Sequence, residues 1–334
     1  SIYLSNNRLS VLPMDLFAVT FRLTYLDLSF NQLTTLPAGI FEALRDLQYL
    51  RLDNNILIVL PHGIFDSLIA LLRLMLNANR LMSFPNFVNL VNVNYLSFAG
   101  DGTAVMHTGL LDNMVALRKL YIAQVRGTSL PAGIFQKVVN LEELSLNLCD
   151  LTDIPSTLFH GLALLNKLTL SGSSSKGVTL PSGMFKSQTQ LLSLDISGVG
   201  LKPLGESAFE GLTSLRTLLV DSNRLSFLPR GVFEPFVDLE KLKISNNLLK
   251  SIPVGIFRTM NKTTLLEFGT NRLTTLENGT FYGLSALNTL QLSNNALVFV
   301  SFGAFDALVE LSVLRLANNK LESLPQDVFN ATSK

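Results

Sequence analysis

The amino-acid sequence predicts a repeat solenoid of the α/β type, with a parallel β-sheet on a concave face and mostly irregular or short 3-10 segments on the convex face. The first observation is a period of 24 residues: Leu23 begins a copy that reads LTYLDLSFNQLTTLPAGIFEALRD, and Leu47 begins the next as LQYLRLDNNILIVLPHGIFDSLIA. The second is a phenylalanine at position 19 of thirteen of the fourteen copies, with Leu111 as the exception. A fixed period of this length indicates a solenoid.

The strand of each copy is predicted at positions 3 to 7, counted from the leucine that begins the copy. Leucine alternates there with variable residues, which is the two-residue period of a strand with one buried face. In the copy that begins at Leu23, residues 26 and 28 are expected to point into the core, and Tyr25, Asp27 and Ser29 outward. A Leu-Pro step then turns the chain away from the sheet, and Gly39 and Gly63 stand where a tight bend favours glycine.

Two further positions predict how neighbouring copies hold together. The phenylalanines of position 19 are expected to stack into an aromatic spine, because each ring lies beside its equivalent in the next copy. Position 9 is asparagine in nine copies, and a carboxamide can donate and accept hydrogen bonds at two successive bends. This ladder is interrupted in the middle of the chain by Asp101, Val125, Cys149, Ser173 and Val199. We expect a local rearrangement or bound water around Val125 and Val199, and Cys149 as a buried ladder residue rather than a nucleophile.

The repeat array predicts one continuous domain over residues 1–334, with fourteen units of which 1–22 is partial. Softer sub-regions are predicted at 1–92, 93–214, where the repeats are irregular, and 215–334. One copy has only 22 residues (71–92), and another has 26 (165–190), with its additional residues in 171–177. That insertion is interpreted either as a ligand-contacting loop or as tolerated slack.

Composition excludes several classes of function. The formal net charge is +1 and only 15% of residues are charged, which gives no support for nucleic-acid binding. The longest charge-free window, 81–100, contains a proline and four asparagines, so no membrane segment is predicted. The three histidines have neither a nucleophile nor a metal-ligand spacing beside them. We therefore predict no enzyme activity, no cofactor and no metal site.

The repeat frame, as in LTYLDLSFNQLTTLPAGIF, resembles the typical extracellular subclass of leucine-rich repeats along the whole chain. The subclass includes Toll-like receptor ectodomains, small leucine-rich proteoglycans and variable lymphocyte receptors. LPAGIFEAL and LPHGIFDSL are especially similar to the last group. The resemblance implies a curved horseshoe that binds a protein or glycan ligand on its concave face, in an extracellular or cell-surface receptor or a secreted recognition protein with a role in immunity. A structural, matrix or self-associating spacer protein and a cytoplasmic scaffold are the alternatives.

Tyrosine and arginine mark the expected ligand-binding surface. Five of the six tyrosines fall at outward strand positions in the first six copies, and both residue types are enriched in binding hot spots. The alternative is that these side chains only stabilise an exposed sheet through contacts between strands. The candidate residues are Tyr3, Tyr25, Tyr49, Arg51, Arg73, Met75, Tyr95, Lys119 and Tyr121.

Two expectations concern the rest of the surface. Sequons for N-glycosylation occur at Asn261, Asn278 and Asn330, which become glycan sites if the protein is secreted. The outermost repeats have no covering cap in this sequence, so self-association through uncapped ends is expected, as part of a longer natural protein.

Overall fold

The computed structural model describes residues 1–125, 130–147, 153–172 and 177–332. Cys149, Ser173 and most of the segment 171–177 lie outside the described residues. The chain divides into two compact units. The N-terminal unit comprises Ser1–Leu151 with His160–Leu165, and the C-terminal unit comprises Thr152–Phe159 with Asn166–Lys334. The single continuous domain and its three sub-regions stay predictions.

The N-terminal unit contains a parallel sheet whose strands follow one another in chain order. Its strands are β1 (Ile2–Tyr3), β2 (Tyr25–Asp27), β3 (Tyr49–Arg51), β4 (Arg73–Leu81), β5 (Tyr95–Gly100), β6 (Lys119–Ala123) and β7 (Glu143–Asn147). Equivalent positions of successive copies are in register, as Tyr25 is with Tyr49. The register shifts once, between Leu76 and Leu81, where β4 pairs with β5 beyond the usual three residues.

The C-terminal unit repeats this pattern with parallel strands one copy apart. Its main sheet contains β8 (Lys167–Ser171), β9 (Ser193–Asp195), β10 (Thr217–Leu219), β11 (Lys241–Lys243), β12 (Leu265–Glu267), β14 (Thr289–Gln291) and β16 (Val313–Arg315). A second sheet pairs only β13 (Thr275–Leu276) with β15 (Phe299–Val300). In the described residues the return segments are turns and bends, and the single helical element is a 3-10 turn at Asn330–Thr332. The predicted fold class, a parallel-sheet repeat solenoid, is confirmed.

The phenylalanine spine forms within each unit as the sequence predicts. In the N-terminal unit, successive rings from Phe17 to Phe87 stack with centroids 6.4–6.5 Å apart. In the C-terminal unit, the rings from Phe257 to Phe329 stack at 5.8–6.3 Å. Leu111, the exception at this position, is fully buried as well. Each stacked pair adds a favourable ring contact to the apolar area that it buries.

The asparagine ladder has a fixed hydrogen-bond pattern. Except for Asn7 in the first copy, whose side chain within the described residues bonds only to Leu4 O and Ser5 O, each member accepts the backbone N–H of a residue 22 positions earlier and donates to a carbonyl 27 positions earlier. For Asn55 these partners are Leu33 N, at 3.1 Å, and Leu28 O, at 3.0 Å. The same pattern is made by Asn31, Asn79, Asn223, Asn247, Asn271, Asn295 and Asn319. One side chain therefore serves the bends of two copies, as predicted.

Where the ladder is interrupted, backbone groups bond to each other. Near Val125, the N–H of Gly102 donates to the carbonyl of Gln124, a residue in the left-handed region with φ +52°. Near Val199, the N–H of Val178 donates to the carbonyl of Gly200 at 3.3 Å. The expected local rearrangement is thus present at both valines, which are themselves buried.

Two side chains that were expected to point outward are nevertheless buried. Asp27 and Ser29 were expected at the surface, but they are only 4% and 0% exposed. Asp27 Oδ1 accepts hydrogen bonds from the backbone N–H of Ser29 (2.9 Å) and from its hydroxyl (2.6 Å). In this hydrogen-bonded turn at the end of β2, the side chains of Asp27 and Ser29 are both buried. Gly39 and Gly63 do have the positive φ expected of them, +78° and +70°.

Candidate ligand-binding surface

The nine candidate residues all belong to β1–β6 of the N-terminal unit and follow two rows across its strands. In one row, Arg73 pairs with Tyr49 on one side and Tyr95 on the other. In the other row, Met75 is the register partner of Arg51. We call these nine residues the Tyr–Arg surface: Tyr3, Tyr25, Tyr49, Arg51, Arg73, Met75, Tyr95, Lys119 and Tyr121. The structure therefore brings the predicted residues together, because equivalent positions stack strand by strand.

Aromatic contacts begin at the first strand and continue to Arg73. The ring centroids of Tyr3 and Tyr25 are 4.9 Å apart, and those of Tyr25 and Tyr49 are 5.9 Å apart. The guanidinium carbon of Arg73 lies 5.4 Å from the centroid of Tyr49, within the range of a cation–π interaction. Tyr3 is 68% exposed, whereas Tyr25 and Tyr49 are half-buried. The rings of these three tyrosines and the guanidinium of Arg73 are therefore all accessible to solvent, at least in part.

Arg51 is held by two buried carboxylates that the sequence analysis did not place in the site. Its Nε and Nη2 donate to the two oxygens of Asp53 at 3.1 and 3.0 Å, in a bidentate pair. Its Nη1 lies 3.5 Å from Asp27 Oδ2. The hydrogen bond to Asp53 is the main cause of a pKa for Arg51 well above the ordinary value. The signal in the sequence was an aspartate one copy before Arg51 and another two residues after it.

A second polar cluster forms around Glu143, which was also not predicted as a site residue. The hydroxyl of Tyr121 donates to Glu143 Oε2 at 2.7 Å, and Lys119 forms an ion pair with Glu143 Oε1. The ring of Tyr121 packs on Tyr95 with centroids 5.3 Å apart. Burial, followed by the hydrogen bond to Glu143, raises the pKa of Tyr121 well above its ordinary value, so the phenol stays neutral. Asp27 and Glu143 therefore each form an ion pair with a cation of the surface.

Arg73 differs from the other two cations of the surface. It is exposed, and within the part of the chain that the structure describes it has no ion-pair partner. Met75 is half-buried beside it, and Ser97, on the next strand, is buried with its hydroxyl bonded to Asn77 Oδ1 at 2.6 Å. A free guanidinium among aromatic side chains is suited to bind an anionic or aromatic group.

Side chains that could bind a metal ion do not cluster in the described residues. These residues contain no group of three or more His, Cys, Asp or Glu side chains that could hold a metal ion. His62, His107 and His160 are exposed on return segments, as predicted. No helix among them has the length and apolar character needed to cross a membrane. The chemistry that the Tyr–Arg surface supplies is stacking, hydrogen bonding and ion pairing.

Comparison with protein families agrees with this fold. The leucine-rich repeat family model matches residues 1–57, 115–174, 237–297 and 264–321, which together make up more than half of the chain. The chain belongs to the leucine-rich repeat family. This fold serves protein–protein interaction and is generally non-catalytic. No curated protein sequence matches the chain at the significance level applied.

Several solved structures share the fold at low sequence identity. Toll, from the Drosophila Toll–Spätzle complex, superposes with a TM-score of 0.83 at 23% identity, covering 97% of this chain and 43% of the Toll chain. A leucine-rich repeat protein of Leptospira interrogans gives 0.77 at 23% identity, covering 99% and 81%. The ectodomain of the Arabidopsis thaliana receptor kinase GASSHO1/SCHENGEN3, in complex with Casparian strip integrity factor 2, gives 0.66 at 23%, covering 96% and 38%. The chain therefore spans less than half the length of Toll and of the plant ectodomain.

Proposed function

We propose that this chain is a non-catalytic recognition module that binds a protein ligand on the Tyr–Arg surface. The observation that carries the proposal is the row from Tyr25 to Tyr95, in which three half-buried tyrosines flank one exposed arginine that has no ion-pair partner in the described residues. Tyrosine and arginine give large contact areas with polar ends, which is why they dominate binding hot spots. Two of the solved structures that share the fold are complexes, of Toll with Spätzle and of the GASSHO1/SCHENGEN3 ectodomain with Casparian strip integrity factor 2.

Preorganisation supports the same proposal. Arg51 and Tyr121 are fixed by hydrogen bonds to Asp53 and Glu143, so their side chains lose little freedom when a ligand arrives. The strand that carries Arg51 is anchored by the ladder residues Asn55 and Asn79. A rigid backbone with ordered side chains lowers the entropic cost of binding.

The second candidate function is structural: the tyrosines stabilise the sheet, and the surface binds nothing. The stacking of Tyr3 on Tyr25 and of Tyr95 on Tyr121 is the geometry that this alternative requires. It accounts less well for Arg73, since a sheet gains little from an exposed arginine that, within the described residues, has a cation–π contact with Tyr49 and no ion pair. The two functions differ in what a triple substitution does to binding and to stability.

The test uses Tyr49→Ala, Arg73→Ala and Tyr95→Ala combined in one variant. Peptides and small protein domains are selected from a displayed library of extracellular proteins against the wild-type chain, and each is then measured against the variant. We expect affinity to fall at least about 100-fold, because two aromatic anchors and a cation are removed. The lost ring contacts are worth about 0.5–1.5 kcal/mol each, so the Tm should fall by only a few degrees.

The matched control replaces the equivalent position of three adjacent strands in the C-terminal unit: Thr217→Ala, Lys241→Ala and Leu265→Ala. This variant should keep both affinity and Tm close to wild type. Selected partners that bind the Tyr–Arg variant as tightly as the wild type would remove this surface from the binding site. A fall in Tm of 10 °C or more without a binding partner would favour the structural alternative.

Extracellular location and glycosylation are further parts of the proposal. The side chains of Asn261, Asn278 and Asn330 are exposed in the C-terminal unit, as a glycan acceptor must be. All three stand outside the unit that carries the Tyr–Arg surface. Expression through a secretory pathway, followed by mass spectrometry of peptides that contain each asparagine, tests this part. Unmodified asparagine at all three positions would contradict it.

A further inference from the structure

We infer that the ligand is a peptide segment with an acidic side chain, which pairs with Arg73 while its neighbours pack on Tyr49 and Tyr95. This inference rests on the proposed function, because it assigns the chemistry of a partner to the same surface. It is drawn from a difference among the three cations of the surface: only one is available to an incoming anion.

The charges of the other two cations are compensated by carboxylates of the chain. Arg51 forms ion pairs with Asp27 and Asp53, whose side chains are almost fully buried. Lys119 forms its ion pair with Glu143, which also accepts the hydroxyl of Tyr121. A carboxylate that approached either cation would meet a like charge already in place. These two sites therefore attract an anion only weakly.

Arg73 offers the opposite conditions. Its guanidinium carbon lies 5.4 Å from the centroid of the Tyr49 ring, and within the described residues its N–H groups form neither an ion pair nor a hydrogen bond, so they are available to a ligand. A guanidinium donates two parallel hydrogen bonds to a carboxylate, and such charge-assisted bonds are stronger than neutral ones. The register partners on both sides of Arg73 are tyrosines. Their rings reduce the access of water to the pair, which strengthens it.

The arrangement also favours a peptide over a sugar chain. A row of aromatic and thioether side chains, with Met75 beside Arg73, suits apolar and aromatic side chains next to the acid. The carboxylates of Asp27 and Asp53, which could have accepted hydrogen bonds from sugar hydroxyls, are buried. The charge that remains selects an acid and disfavours a lysine or an arginine at the same point.

The test is a selection from a random peptide library displayed on phage, carried out in parallel on the wild-type chain, Arg73→Gln and Lys241→Gln. We expect peptides selected by the wild type to be enriched in aspartate and glutamate at one position relative to the unselected library. Arg73→Gln should lose that enrichment but keep any preference for aromatic residues. Lys241→Gln is the matched control and should keep the acidic position, since Lys241 is an exposed cation at the equivalent strand position of the C-terminal unit, outside the Tyr–Arg surface.

A double-mutant cycle on the tightest wild-type peptide isolates the pair. Replacing the acid of the peptide by its amide, or Arg73 by glutamine, should each weaken binding by about 10- to 100-fold. The two changes together should cost little more than either one, because they remove the same interaction. Circular dichroism of the Arg73→Gln and Lys241→Gln variants is expected to show an intact fold for each.

Each remaining outcome separates the inference from the proposed function. Wild-type peptides without acid enrichment, or a cycle in which the two losses add, would overturn the inference. The proposed function would stand if the same peptides no longer bound the triple Tyr–Arg variant. Peptides indifferent to the triple variant would overturn both proposals. Recovery of no wild-type peptide, together with binding to neutral sugars on a glycan array, would also overturn the inference.

Discussion

Replacing Asn247 by alanine measures how strongly the asparagine ladder holds adjacent copies together. Its Oδ1 accepts the N–H of Leu225 at 3.0 Å, and its Nδ2 donates to the carbonyl of Val220 at 3.0 Å. The carbonyl of Val220 also accepts Asn223 Nδ2 at 3.0 Å, so it keeps one partner in the variant. Within the described residues, the N–H of Leu225 has no other hydrogen-bond acceptor. The variant therefore leaves one buried donor, the N–H of Leu225, without a partner, whereas the carbonyl of Val220 loses one donor and keeps another.

The magnitude follows from this asymmetry. An unsatisfied buried N–H costs about 1–3 kcal/mol, and the lost bonds and the small void left by the carboxamide bring the expected total to about 2–4 kcal/mol. Urea unfolding and hydrogen exchange of peptides that contain Leu225 measure the loss. Exchange should speed up around residues 220–249 and change little in the N-terminal unit, because repeats interact mainly with their neighbours.

The control is Asn261→Ala in the same unit, produced in bacteria so that no sugar is attached. Asn261 is exposed, and its side chain forms no hydrogen bond within the described residues. Its replacement should change stability by less than about 0.5 kcal/mol. If Asn247→Ala costs no more than this control, the ladder is not a source of cohesion and the reasoning from shared bends fails.

Asn247→Asp separates the two halves of the carboxamide. It keeps an oxygen for Leu225 N–H but turns a second oxygen toward the carbonyls of Val220 and Ile244, which the amide nitrogen now contacts at 3.0 and 3.2 Å. Burial and these dipoles raise the pKa of the new carboxyl in the folded state. Its deficit relative to wild type is therefore largest at neutral pH and shrinks as the pH falls through that raised pKa. A deficit that grew on acidification would contradict this sign.

Two further predictions concern single buried or half-buried groups in the C-terminal unit. Gln188 is fully buried with its Oε1 unpaired, while its Nε2 donates to Phe159 O at 2.7 Å. Because an unpaired buried oxygen is costly, we expect Gln188→Leu to raise the free energy of unfolding by up to about 1 kcal/mol, measured in thermal melts. A lower Tm would show that the bond to Phe159 outweighs the unpaired oxygen. Burial raises the pKa of Asp221, against the opposing effect of its bond to Ser245 N–H, and Glu267 raises it further. Because its charged form is disfavoured in the fold, Asp221→Asn should raise the Tm at pH 7, with a gain that disappears as the pH falls through the raised pKa; a gain independent of pH would refute this.

The sequence predicted the features that repeat with the period. Phe257 stacks on Phe281 because the two occupy the same position of adjacent copies, and the ladder bonds of Asn55 recur for the same reason. In a solenoid the neighbour of each residue is its own equivalent one copy away, so a periodic sequence states its contacts directly. The clustering of the tyrosines followed from this rule as well.

Features outside the period could not be read in this way. The burial of Asp27 depends on a turn closed by Ser29, because Asp27 Oδ1 accepts both the backbone N–H and the hydroxyl of Ser29. The length of β4 depends on a register shift in the 22-residue copy, where Phe84 packs edge-on against Phe98 at 4.7 Å. Gln188 occupies a position that is apolar in the other copies except the first and the last, where it is Thr20 and Thr332, and no repeated residue predicts a partner for its amide. In each case the contact joins residues that are not at equivalent positions of adjacent copies, so periodicity carries no information about it.

The two halves of the Tyr–Arg surface are supported by different means. The copies that carry Tyr25 and Arg73 include the ladder residues Asn31 and Asn79, whereas the copy that carries Tyr121 has Val125 at this position. The bends of the first half have these side-chain bonds in addition to backbone bonds. A ligand anchored on Arg73 therefore contacts a copy whose bend is tied by Asn79 to the copy that carries Tyr49. Recognition that depends on one guanidinium requires such a support, because a bidentate pair tolerates little displacement of either partner.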